Sequence, residues 1–346
     1  MDTSIFALDN AWLALLLKVV AVLAFFLVAP LVMGYMEHKV LGHMQARYGP
    51  MEAGLGPIKH GVGQLVADGL KFLQKEDIIP ARADRWVFAL APGVALIPAM
   101  IILVVIPFGP GLWAEDLDTG VFFALAVSSV SVIGLLMAAW SSNNKYSLMG
   151  GIRAAAQLIA YELPLVLAAA AVVVQAGTLS LVGIVEAQHS FTAFGIPVPY
   201  AVPQLLGFLM FFTAALAELS RPPFDMPIAD AEIIAGHMTE YTGIRFAFFM
   251  LSEYAGMVVM SALATVLFLG GWYLWPGVPL PSGWLGALLG FAITMGKITT
   301  LVFVMVWFRA TFPRLREDQL QRFSWLILIP LALLQIVVVA VFKVLA

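Results

Sequence analysis

The sequence predicts an all-α bundle of membrane-spanning helices, and three observations carry that reading. Of its 346 residues 62% are hydrophobic and only 11% charged, against about a quarter charged in an ordinary soluble domain. The mean hydropathy is +0.97, too apolar for one water-soluble core. The apolar residues also fall in runs of about 20, the length that crosses a bilayer as a helix.

Eight runs qualify, at about 11–34, 86–107, 120–140, 154–176, 200–219, 246–270, 284–307 and 324–345. The first follows acidic Asp2 and Asp9 and has no basic residue before Lys18, so it reads as a retained span and not a cleaved leader. The whole chain, 1–346, reads as one integral membrane domain, without an internal repeat or a dividing linker.

The connections are strongly asymmetric in charge. The first, third, fifth and seventh hold fifteen of the 18 Lys and Arg residues, and the second, fourth and sixth hold none. Glu115, Asp116 and Asp118 make the second acidic. The positive-inside rule places the basic loops in the cytoplasm and both termini on the outer side. The outer face reads as short connections. In the long first loop Ile58, Val62, Leu65, Val66, Gly69, Leu70 and Leu73 recur at helical spacing, with Lys59, Asp68, Lys71 and Lys75 on other faces. That pattern predicts an amphipathic helix lying along the membrane surface.

Ionisable groups within spans are costly and point to function. Glu162, Glu253, Glu218 and Glu37 all fall in the cytoplasmic halves of their spans, and Lys297 lies near the middle of the seventh. The fifth loop adds Asp225, Asp230, Glu232 and Glu240 beside Arg221 and Arg245. Buried, closely spaced carboxyls exchange protons over a range set by their neighbours. The set reads as a hydrated proton or cation path opening to the cytoplasm. The competing reading is that these groups form ion pairs that fix helix packing. Lys18 and Lys343 reach toward the outer interface, where snorkelling explains them.

Several chemistries are excluded. With no cysteine the chain supplies no iron–sulfur ligand, thiolate metal site or disulfide. No histidine falls mid-span: His38, His43, His60 and His237 are cytoplasmic and His189 lies in an outer loop, so paired axial haem ligands are missing. Gly54, Gly56, Gly61 and Gly63 follow no strand and make no dinucleotide fingerprint. No metal site and no nucleic-acid partner is expected.

Four segments resemble one family. They are Glu37-His38-Lys39-Val40-Leu41-Gly42-His43-Met44-Gln45-Ala46-Arg47-Tyr48-Gly49-Pro50 with Ala67-Asp68-Gly69-Leu70-Lys71; Gly150-Gly151-Ile152-Arg153 through Gln157 to Tyr161-Glu162-Leu163-Pro164; Ala217-Glu218-Leu219-Ser220-Arg221-Pro222-Pro223-Phe224-Asp225 through Glu232, Gly236 and Glu240-Tyr241 to Glu253-Tyr254; and Arg309-Ala310-Thr311-Phe312-Pro313-Arg314 with Asp318-Gln319-Leu320. Together they resemble the H subunits of the proton-pumping NADH:quinone oxidoreductases, respiratory complex I, counterparts of the first mitochondrially encoded membrane subunit.

The resemblance implies a non-redox membrane subunit that walls the quinone chamber at the joint with the hydrophilic arm. It also implies that the membrane is a bacterial inner membrane and the outer side periplasmic. Glu37, His38, Arg47, Asp68, Arg221, Asp225, Arg309 and Arg314 would line or brace that chamber. Glu162, Glu218, Asp230, Glu232, Glu240 and Glu253 would carry an acidic path toward antiporter-like pump subunits. Quinone is the implied substrate, ubiquinone among the possible types. FMN and iron–sulfur clusters are expected in partner subunits of the hydrophilic arm, and small membrane subunits and lipid are expected as neighbours. No catalysis is expected of the isolated chain. Two positions depart from the family pattern: His38 stands where Arg is usual, and Ile228 where several members carry an acid, a link that Asp230 would replace. Alternatives are the homologous subunit of a membrane-bound hydrogenase or ferredoxin-fed dehydrogenase, and an autonomous ion transporter. For the arginines the plain alternative is cytoplasmic anchoring; for the first-loop lysines it is the preferred reading.

Overall fold

The computed structural model describes residues 11–54, 59–193, 196–228 and 230–345. Ile58 of the expected surface helix, together with Asp2 and Asp9, lies outside the described residues, as does the side chain of Asp230.

Hydropathy sets the architecture. Seven helical stretches among the described residues are long and apolar enough to cross a membrane. They are α1 (Ala11–Met44), α3 (Arg85–Ile102), α4 (Gly120–Ser141), α5 (Lys145–Ala176), α9 (Gly243–Phe268), α10 (Trp284–Thr311) and the continuous run Glu317–Leu345. That last run comprises α11 (Glu317–Arg322), a π-helical turn (Phe323–Leu328) and α12 (Ile329–Leu345). The expected fifth span is shorter: α7 (Leu205–Glu218) has 14 residues, about 21 Å at 1.5 Å per residue. Gln204 and the turn before it extend its reach, because Ala201 N–H donates to the Phe268 carbonyl at the far end of α9. Residues 181–190 form α6 (Leu181–Ser190), followed by a two-stranded antiparallel hairpin, β1 (Thr192–Ala193) with β2 (Ile196–Pro197). The fourth connection is therefore not the short one expected. α6 buries Leu181, Ile184 and Val185, and Gln188 donates to the Val266 carbonyl at 2.7 Å.

The surface helix is present as α2 (Gln64–Gln74). None of its residues is buried, and Val66, Leu70 and Leu73 are exposed. α2 runs alongside the first three turns of α9: a Cβ on Gly34 of α1 would lie 2.9 Å from Leu65 and 3.5 Å from Tyr254, the Phe72 and Phe246 rings are 5.7 Å apart, and a Cβ on Gly243 would lie 3.1 Å from the Lys75 carbonyl oxygen.

Polar contacts sort the bundle into two ends. At one end lie Lys18 with Glu115 (3.7 Å), Ser180 Oγ donating to Asp116 (2.7 Å), and Lys343 donating to the Gln175 carbonyl (2.8 Å). Lys297 turns to the same end and donates to the carbonyls of Leu269, Gly271 and Tyr273. At the other end lie the basic loops. The two ends of the described chain therefore lie at the same end of the bundle, opposite the basic loops. α1 and α12 expose much of their apolar surface, including Leu16, Val28, Leu333 and Val337, a surface that calls for lipid or a partner chain.

Helices meet through small residues and shared polar groups, as in membranes generally. A Cβ on Gly134 of α4 would stand 2.5 Å from the backbone nitrogen of Ala95 in α3. Gln204 bonds Gln175 and the Ala171 carbonyl, and accepts from Gln335 at 3.2 Å, tying α5, α7 and α12. Ser324 Oγ donates to the Ala160 carbonyl, and Tyr161 Oη to that of Leu320 at 2.9 Å. The start of the eighth run is thereby pinned to the middle of α5.

Candidate functional site

The site begins where α1 outlasts its apolar run. The helix continues ten residues past the expected edge to Met44, so Glu37 is held on a helix and not in a loop. It is 1% exposed. An isolated buried carboxylate would be very costly, and two guanidiniums meet it. Arg221 Nη1 lies 2.9 and 3.0 Å from its two oxygens, and Arg309 from the end of α10 binds the same carboxylate.

Arg221 is 3% exposed and bridges two acids. Its Nε lies 2.7 Å from Glu253 Oε1 on α9. The next residue of α9, Tyr254, places its ring 5.1 Å from the guanidinium carbon. Two acids and two arginines thus form a formally neutral cluster drawn from α1, α9, α10 and the turn after α7, with Glu37 and Arg221 buried, Glu253 half-buried and Arg309 at its exposed edge. This is the ion-pair arrangement of the competing reading, and it joins Glu253 to Glu37, Arg221 and Arg309, to which the resemblance assigns separate roles.

The turn that carries Arg221 is held from α5. Gln157 Nε2 donates to the carbonyls of both Ala217 and Phe224, each at 2.7 Å. Between those two anchors Arg221 N–H returns to the Leu216 carbonyl, Ser220 takes φ +50, and the Pro222–Pro223 peptide is cis. Sequence reasoning gives Gln157 no role; an amide within an apolar span is the signal that could have found it.

Glu218 ends α7 beside this turn. Its Oε2 is buried without a hydrogen-bond partner among the described residues, and Glu162, half-buried on α5, is its charged neighbour. Glu218 and Glu253 line one cavity of about 110 Å³ among α3, α4, α5, α7 and α9. Ser128, Ser131, Ser220, Ser252 and His237 contribute the rest of its polar wall, and Ile228 is apolar wall. His237 belongs to a 3₁₀ turn (Gly236–Met238) that docks on α5. Gly236 takes φ +53, and a Cβ there would meet the Pro227 carbonyl oxygen at 1.8 Å, so only glycine turns the chain here. Burial pushes the His237 imidazole down to about 4, so it is neutral at neutral pH.

The remaining expected residues divide. Glu232, in the short helix α8 (Asp230–Ile233), meets Arg153 at 2.6 Å and Arg314 at 3.9 Å, with Glu317 3.8 Å from Arg153. The Arg153 hydrogen bond and then the Arg314 charge hold its carboxyl below the usual carboxylate range. Arg314 thus belongs to a second, more exposed network and not to the Glu37 cluster. Glu240 accepts from Asn144, the N-cap of α5, at 2.5 Å. Asp68 stays within α2, bonded to Gln64 and Lys71. Arg47 bonds Gln45 in the exposed loop after α1. Neither reaches the cluster. His38 follows Glu37 and buries its Nδ1 without a hydrogen bond among the described residues. Asp225 lies half-buried in the loop beyond the proline pair.

These features define a multi-pass helical membrane protein whose buried charges gather under one basic face and border one cavity. The chain belongs to the NADH dehydrogenase family, whose model matches residues 17–340. It is similar to the NADH-quinone oxidoreductase H subunit of Geobacillus kaustophilus, 47% identical over 307 residues that cover 89% of this chain and 87% of the relative. The proteins of that name from Anoxybacillus flavithermus and Bacillus mycoides are also 47% identical, over 308 and 307 residues, with the same shares covered.

Proposed function

We propose that this chain is the H subunit, in the membrane arm, of a proton-pumping NADH:quinone oxidoreductase. It walls the quinone chamber with the hydrophilic arm and carries an acidic path that couples quinone reduction to proton movement. The family membership and the relatives' shared name support the complex. The observation that supports the coupling role is the continuity between the Glu37–Arg221–Glu253 cluster and the cavity holding Glu218.

The chemistry follows from that continuity. Iron–sulfur clusters fall to partner subunits, because this chain offers no thiolate, and FMN is assigned to partners with them. Quinone reduction takes up protons and changes the charge facing the cluster. Glu37 and Glu253 share Arg221, so a change at one acid redistributes the guanidinium's hold on the other. Charges interact strongly at the low effective dielectric of a protein interior. Glu253 also faces the cavity, so the redistribution is passed to Glu218 and, behind it, Glu162. A proton displaced there moves toward neighbouring membrane subunits. The basic face, with α2 along the membrane surface, would stand on the cytoplasmic side, with both termini outward.

The test is Glu162→Gln and Glu218→Gln in the assembled complex. We expect NADH-driven pumping to fall at least tenfold in each. Normal quinone reduction and normal pumping in both variants would sink the acidic path.

A further inference from the structure

His237 has no part in the path just proposed, yet it faces the middle of it. It is 4% exposed. Its ring stands edge-on to Phe249, with centroids 5.5 Å apart, and its backbone carbonyl accepts from Ser147 Oγ at 3.3 Å. Its Nδ1 is buried and finds no hydrogen-bond partner among the described residues, and the same holds for Glu218 Oε2. Both side chains line the one cavity. The two unpaired atoms are themselves withdrawn from water, and it is the rest of each side chain that borders the space.

The space suits water. It measures about 110 Å³, where ~10–15 Å³ on this kind of measure admits one molecule. Its wall offers four serine hydroxyls besides the acids and the imidazole. The titratable groups facing it are Glu218, Glu253 and His237; behind them stand Glu162 on Glu218 and Arg221 on Glu253. The elements packed around it from α3 and α4 contribute Ser128, Ser131 and apolar residues.

We propose that His237 is a proton-relay residue, working through water in this cavity between Glu218 and Glu253. The imidazole takes the proton that one carboxyl gives up and yields it to the other. One acid loses what the other gains, and the imidazole ends neutral. Its weak basicity in this setting keeps the charged form short-lived, as a relay and not a proton store requires. Gly236 fixes the turn that carries the ring. The proposal rests on the acidic path described above.

The experiment uses the assembled complex in liposomes and compares His237→Gln, Ser147→Ala and Glu218→Gln for quinone reduction, pumping and solvent deuterium isotope effect. Gln bonds water but carries no proton, so H237Q should pump at least fivefold more slowly, with an isotope effect at least 1.5-fold larger. S147A loosens the turn while keeping the imidazole, and should leave the isotope effect unchanged. His237→Tyr keeps a ring against Phe249 and covers the case in which Gln impairs assembly. Wild-type pumping and isotope effect in either His237 variant overturns the relay if E218Q is impaired. An unimpaired E218Q shows instead that the acidic path itself is wrong. A defect in S147A equal to that of H237Q, isotope effect included, reduces His237 to a structural role.

Discussion

Glu37 and Arg221, 184 positions apart in the chain, meet with both carboxylate oxygens within 2.9 and 3.0 Å of one guanidinium nitrogen. The pair ties the end of α1 to the turn after α7, and both groups are withdrawn from solvent. Such a pair is weak evidence of net stabilisation, but breaking it exposes an uncompensated buried charge.

Arg221→Ala should therefore destabilise the subunit by about 3–5 kcal/mol, read as lost assembly or a lower thermal midpoint of the complex. Arg221→Lys is the finer test. A single ammonium cannot hold Glu37 and Glu253 as the fork does, so quinone reduction should fall although the charge is kept. Wild-type activity in R221K would show that the bridge between the two acids is dispensable.

Gln157→Ala should act on the same site from a distance. It removes the amide that both carbonyls share, while the Ala217 carbonyl keeps the Ser220 N–H (3.0 Å) and the Phe224 carbonyl the Met226 N–H (3.1 Å), so the loss is about 0.5–1.5 kcal/mol for each hydrogen bond. The turn bearing Arg221 then loosens while the helices stand. The expected reading is reduced quinone reductase activity with unchanged helical circular dichroism of the purified complex.

His237 makes stability depend on acid. Its folded value of about 4 lies below the ordinary 6.5, so the unfolded chain binds the proton that the folded chain refuses. The stability present above about pH 6.5 is lost as pH falls toward about 4, and little further change comes from this group below that. H237Q should flatten this part of the profile. Parallel thermal midpoints for wild type and H237Q between pH 7 and 4.5 would contradict it.

Gly134→Val places side-chain atoms where the backbone of Ala95 already stands, 2.5 Å from a Cβ. α3 and α4 must part, and overpacking of this kind costs about 1–3 kcal/mol or more. Because these helices form one wall of the cavity, pumping should suffer beyond the loss of stability. Comparison with Gly69→Ala, whose Cβ meets nothing within 4 Å, isolates the effect.

The all-α bundle and the surface helix were legible because hydropathy and helical spacing are local properties of the chain. Span edges were less so. Glu37, His38 and Lys39 resemble a loop by charge, yet α1 continues through them because Arg221 and Arg309 pair with Glu37 in space. α5 likewise begins at Lys145, nine residues early, because Gly150 accommodates the 236–238 turn: a Cβ there would stand 2.7 Å from Gly236. α6 was hidden because a ten-residue amphiphilic stretch between spans looks like connection until its partner α9 is present.

Within the site, the acids and arginines were visible as charges in costly places. Their pairing was not, since Arg221 selects Glu37 and Glu253 through tertiary contact alone. Asp68 and Arg47 share the family's motifs but satisfy themselves locally. The cavity was invisible in sequence, because its serines and His237 come from separate elements and none is unusual in its own segment.

The most direct test is Glu253→Gln in the complex reconstituted in liposomes, with NADH oxidation and proton uptake followed together. Glu253 is both Arg221's partner and a wall of the cavity holding Glu218, so quinone reduction and pumping should fall together, pumping at least tenfold. Full-rate quinone reduction with a wild-type proton-to-electron ratio would contradict the claim that this junction couples the two.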